Sequence, residues 1–218
     1  MLKKLLGLEP SSSTLIDAAF NDVRDMLEQS GKMLDYSLAS LLDNQELSVD
    51  LEQMDDSVDN SERMVRRSVL EHLSFNPQQD LVASLVLVSM VQDAERIGDS
   101  ARGLAELIPL AGSSRGGEFA DRLKKIAGRI RPLFDLCSEA FQEESPDKGR
   151  EVVAEAAACK QQLKDLVRDL ASSSQSADMA VVYSGAARIL RRTGAHLSNI
   201  ASSVVQPYDR IRHGDEEA

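Results

Sequence analysis

The sequence predicts an all-α protein made of two tandem three-helix bundles, six long helices related by pseudo-symmetry. Three observations carry this. Apolar residues recur at three- and four-residue spacing through most of the chain. A Pro and three Gly gather near its middle, at Pro109–Gly117. The order of helices before that stretch recurs after it. Of the 218 residues 42% are hydrophobic but only 4% aromatic, with no Trp. Leu, Ala and Val therefore fill the apolar positions, which suits helix-on-helix packing, and each half is large enough to bury a core of its own.

Residues 1–13 read as an N-terminal segment. Met1–Leu8 is short, basic and apolar, a terminus packing on the body or at most touching a membrane surface. Ser11, Ser12, Ser13 and Thr14 offer helix caps. The first helix follows, with Ile16, Ala19, Phe20, Val23, Met26, Leu27, Met33, Leu34, Leu38 and Leu41 on one face, and ends near Asp43-Asn44. The second starts near Ser48 and follows Leu51, Met54, Val58, Ser61, Val65, Val69 and Leu73. Asp55, Asp59, Glu62 and Arg66 border that line, about 100° round the helix. Phe75-Asn76-Pro77 makes a turn, and Asp80 suits the positive end of the next helix. That helix begins with the apolar run Leu81–Val91 and continues through Ala94, Ile97, Ala101, Leu104 and Ile108, too long for a strand.

The first bundle thus spans 14–110, the linker 111–117 and the second bundle 118–213. The fourth helix covers Glu118–Glu143, with Pro132 as a kink. Ser145-Pro146-Asp147 starts the fifth, which runs to Leu170. Ser172–Ser176 leads to the sixth, from Ala177 to Arg212. Residues 214–218 read as a disordered tail.

A net charge of −11 argues against nucleic acid and is compatible with cations or a basic partner. Cys137 and Cys159 lie in helical patterns without metal-ligand spacing and read as small buried hydrophobes. The longest uncharged apolar run, about 11 residues, is too short to span a bilayer. No secretory signal is evident, so the expected location is cytoplasmic, at most peripheral at the inner membrane. No P-loop, dinucleotide fingerprint or nucleophile elbow occurs. His72, His196 and His213 are scattered and read as surface or half-buried residues. The absence of Glu-x-x-His argues against a ferritin-like di-iron oxidase, and no enzymatic activity is expected.

Charge patterning singles out one constellation. Glu95 and Asp99 lie one helical turn apart, where like charges repel by roughly 0.2–0.5 kcal/mol. If the second and third helices pack side by side, Asp55, Asp59 and Glu62 join them. Carboxylates gathered from neighbouring helices suit a hard cation. The plainer account is that Arg63, Arg66, Arg96 and Arg102 neutralise them. Mid-helix Gly98 and Gly194 each cost about 1 kcal/mol against Ala, which points to a close approach by a neighbour. Arg188, Arg191 and Arg192 form a basic patch, either an anion or partner contact or a set of salt bridges.

Placing Arg188–Ala201 under Gln92–Ala105 aligns Gly98 with Gly194 and Arg96 with Arg192, but sets Arg191 under Glu95 and Ala195 under Asp99. The order of elements, Ala94–Ala101, Met54–Glu62, Phe75-Asn76-Pro77 and Asp80-Leu81 together resemble the PhoU family of phosphate-uptake regulators. The resemblance covers Thr14–Ile108 and, more loosely, the second half through Leu190–Gly194 and Asn199-Ile200-Ala201. It implies paired acid motifs on neighbouring helices that bind a metal ion or cluster, iron or zinc with manganese or magnesium as alternatives. On this chain those motifs fall on Asp55, Asp59, Glu62, Glu95 and Asp99. The second half, offering only Glu155 and Cys159 beside Arg191 and Ala195, is expected to bind none. The resemblance further implies a homodimer that modulates a phosphate transporter, of the ABC type or sodium-coupled, and a sensor kinase. Metal would cross-link the second and third helices and fix the surface shown to the partner. The alternatives are a metal-free helical adaptor and a carboxylate-bridged metalloenzyme or iron-handling protein.

Overall fold

The computed structural model describes residues 14–112 and 115–206. The Met1–Leu8 segment, the Ser11–Ser13 caps, the stretch beyond Gln206 with His213, and the 214–218 tail lie outside them. The described residues are helical throughout, apart from turns: α1 (Thr14–Asp43), α2 (Leu51–Phe75), α3 (Leu81–Ala105), a 3₁₀ turn (Ile108–Leu110), α4 (Glu118–Ile130), α5 (Pro132–Gln142), α6 (Pro146–Ala171) and α7 (Ala177–Val205). α4 and α5 are the expected fourth helix, divided at Pro132. Arg131 keeps helical angles (φ −56°, ψ −47°), but proline has no N–H with which to continue the ladder.

Local chemistry sets the other ends. Asp50 caps α2 by accepting from the Gln53 N–H, so the helix starts after this residue rather than at Ser48. Ser145 caps α6 in the same way through Lys148 N–H, with Pro146 in the first turn. Asn44 takes a left-handed conformation (φ 56°) directly after α1, a common way to stop a helix. Asp80 precedes α3 as expected but makes no side-chain cap. Its carboxylate instead lies 3.4 Å from His72 Nε2, with both groups buried. His72 is thus not the surface or half-buried residue that its isolation in the sequence suggested. Cys137 and Cys159 are buried and unpaired, as expected.

α1, α2 and α3 pack as one bundle, and α4–α7 as the other. The bundles share one continuous apolar core, because α3 and α7 pack on each other as well as on their own partners. The junction retains the pseudo-symmetry. Asp93 on α3 meets Asn199 on α7, while Gly103 faces Ile189, whose Cδ1 lies 3.7 Å from the position of an added Cβ. The register that aligns Gly98 with Gly194 exchanges these two contacts. Around the junction Arg131 bonds Asp35 at 2.8 Å, Lys124 bonds Asp43 at 2.6 Å, and Arg115 of the linker donates to the Ser40 carbonyl.

The polar centre of the junction is Asp93, 1% exposed. It accepts from His196 Nδ1–H at 2.8 Å and from Asn199 Nδ2 at 3.3 Å. Removing a buried acceptor strands its donors. Asp93→Ala should therefore destabilise the protein by about 1–3 kcal/mol, read as a lower urea midpoint with the helical circular dichroism of the native state retained.

Candidate metal centre

α2 and α3 approach closely because Gly98 has no side chain. A Cβ added there would stand 3.3 Å from Asp55 Oδ1, 3.4 Å from Ser30 Oγ and 3.5 Å from Val58. Asp55 is consequently turned inward and buried, although the periodicity placed it on the border of the core line. At Gly194 in the second bundle the expected close approach is not made: an added Cβ would meet only Ala156, at an ordinary contact distance of 3.9 Å. The residue opposite the second glycine is thus Ala156, and Glu155 beside it is taken by Arg129 at 2.6 Å.

The five expected acids do not share one environment. Arg102, one turn beyond Glu95 and Asp99 on α3, reaches Asp55 Oδ2 with Nε at 2.8 Å and Asp99 Oδ1 with Nη2 at 3.2 Å. It clamps α2 to α3. Arg66 bonds Glu62 at 2.8 Å and Arg63 approaches Asp59 at 3.7 Å, both along α2. Glu95 makes no hydrogen bond or ion pair among the described residues. Burial, and after it the negative charges of Asp99, Glu62 and Asp59, push its carboxyl up to about 7, with Arg96 only partly opposing them. Asp55 is also raised, chiefly by burial, and Arg102 opposes the rise. Among the described residues no group of three or more His, Cys, Asp or Glu side chains is placed to hold a metal ion. The donors are all carboxylates, and the unneutralised charge at Glu95 faces Asp59 and Glu62. In chemistry and charge the acids suit a cation, but their side chains as placed do not gather three donors around one ion.

Of the basic patch, Arg188 and Arg191 line a groove between α6 and α7 together with Lys164, while Arg192 is exposed and does not line it. The role of Asp93 as the acceptor between the bundles was missed. Its only signal in the sequence was a carboxylate on the apolar side of the third helix, between Met90 and Ile97.

With this geometry in place, comparison with known proteins shows what the chain is similar to. Residues 23–108 match the PhoU domain model. The resemblance read from Thr14–Ile108 is thereby borne out over that stretch. Across 195 residues, the chain is 27% identical to a Thermotoga maritima protein named phosphate-specific transport system accessory protein PhoU homolog 1, covering 85% of this chain and 83% of the relative. Two solved structures share the fold over nearly the whole chain. PhoU from Pseudomonas aeruginosa superposes with a TM-score of 0.79 at 20% identity, covering 88% of this chain and 95% of its own. The phosphate transport system regulatory protein PhoU from Streptococcus pneumoniae gives 0.79 at 15%, covering 93% and 97%. The matched stretch thus contains α2 and α3 with all five acids, and the likeness of fold continues through the second bundle.

Glu95 gives a signed prediction for chelator-treated protein. Its folded pKa, about 7, lies above the unfolded value near 4.5. The native state therefore holds the proton more tightly, and stability falls as pH rises from 4.5 through 7. Glu95→Gln should raise the melting temperature at pH 8 and change it little at pH 5. Thermal unfolding of both proteins at the two pH values checks this.

Proposed function

We propose that this chain is an accessory protein of a phosphate transport system, acting by binding rather than catalysis. The reach of the Thermotoga maritima likeness supports this most directly, since it runs through both bundles. The partner is a phosphate transporter, ABC-type or sodium-coupled, with a sensor kinase as a second listener and a homodimer as the working form. No helix among the described residues is long and apolar enough to cross a membrane, so membrane association would come through the partner. A cytoplasmic location, peripheral at the inner membrane, follows from that role.

The acid face of the first bundle is the regulated element in this reading. Asp59, Glu62 and Glu95 would hold a metal ion, iron or zinc with manganese or magnesium as alternatives, and Asp55 and Asp99 would complete the set. A bound cation supplies charge neutralisation between α2 and α3. Arg102 already does this for Asp55 and Asp99, so it competes with an external cation for those two carboxylates. That pairing also favours a second reading, in which the chain is a metal-free helical adaptor and Arg102 is its permanent counter-ion.

Two measurements separate these readings. Zn²⁺, Fe²⁺ or Mn²⁺ added to chelator-treated protein should raise its melting temperature. Asp59→Asn with Glu95→Gln should abolish the rise, and Arg102→Gln should enlarge it. An unchanged melting temperature with every metal sinks the metal site and leaves the adaptor. The transport role is tested by pull-down from membranes of phosphate-replete and phosphate-starved cells. Recovery of a phosphate transporter component is expected in at least one condition, and its absence from both overturns the role.

A further inference from the structure

The second bundle carries a charged feature of the opposite sign. Between α6 and α7 lies a groove of about 270 Å³, floored by Leu163 and Val167 and edged by Lys164, Ser184, Arg188 and Arg191. In a chain of net charge −11, most described arginines have an acid beside them. Lys164, Arg188 and Arg191 make no ion pair among the described residues. Lys160, one turn before Lys164, also lacks one. Arg188 and Arg191 are neighbours on one helical face, and Lys160 and Lys164 are neighbours on the other helix, so like charges are paired at the spacings where they repel. Arg191 occupies the place that Glu95 has in the first bundle.

We infer that this groove binds a small oxyanion carrying an apolar group. Two guanidinium forks and an ammonium around a hydroxyl match a phosphoryl or carboxylate head, which each fork can take through two N–H donors. Leu163 and Val167 give the attached group an apolar floor. The groove belongs to α6 and α7 and is independent of any metal in the first bundle.

Calorimetric titration at low salt with phenyl phosphate, benzoate and inorganic phosphate tests the inference. Phenyl phosphate or benzoate should bind saturably, with a Kd on the order of 1 mM or tighter, and tighter than inorganic phosphate. Which of the two binds identifies the oxyanion head. Affinity should fall as salt is added. Arg191→Gln and Lys164→Gln should each weaken binding about tenfold, while Arg150→Gln, an exposed arginine elsewhere on α6, leaves it unchanged. The altered residues are exposed, so the native circular dichroism and melting temperature should persist. Saturable binding of neither organic anion overturns the inference. So does binding that the two groove variants leave intact, or inorganic phosphate binding as tightly as the organic anions.

Discussion

The missing side chain at Gly98 is the constraint on which the first bundle's chemistry depends. It lets α2 and α3 approach until the Asp55 carboxylate is 3.3 Å from where a Cβ would be. That approach turns Asp55 inward, where Arg102 can reach it and Asp99 together. It also brings the α2 acids Asp59 and Glu62 within electrostatic reach of Glu95 on α3. A mid-helix glycine sacrifices about 1 kcal/mol of helix propensity. What it gives in return is an interhelical distance short enough for side chains on two helices to share one field.

Within that field the charges are unequally satisfied. One guanidinium serves Asp55 and Asp99, and two local i,i+4 pairs along α2 serve Glu62 and Asp59. Pairs along one helix face contribute little, about 0.3–0.5 kcal/mol each where exposed. The surroundings oppose ionisation at Glu95 and, through burial, at Asp55, but only Asp55 has a guanidinium against it. A change in charge at Glu95, by a proton or a cation, alters the α2–α3 pair more than the same change at the rim.

Much of this was legible in the chain because it is local. The acid stripes, the proline break at Pro132, the linker and the need for a small residue at Gly98 all follow from spacing along a helix. So did the resemblance carried by Met54–Glu62 and Ala94–Ala101. Contacts made across the fold could not be read that way. Asp93 and His196 are 103 positions apart, and nothing near either one announces the other. Arg102 was expected as a local partner, but its reach across to Asp55 depends on how far apart α2 and α3 sit. His72 and Asp80 are close in sequence, yet their burial depends on how the turn after Phe75 folds back.

The two bundles show which features the scaffold itself requires. A glycine stands at the matching place in both, Gly98 and Gly194, although only Gly98 is tightly approached, and the α3–α7 junction exchanges its contacts under that register. The charges do not survive. Ala156 stands opposite Gly194 where Asp55 stands opposite Gly98, and Arg129 pairs with Glu155 from α4. Packing depends on the small residues and the apolar faces, because these set interhelical distance and the shared core. Apart from the buried Asp55, the charges near that contact lie at the rim and contribute little to stability, so they can differ between the bundles. One fold thus carries an acid face on its first bundle and a cationic groove on its second. The difference in chemistry rests on differences such as Glu95 against Arg191 at matching positions of α3 and α7.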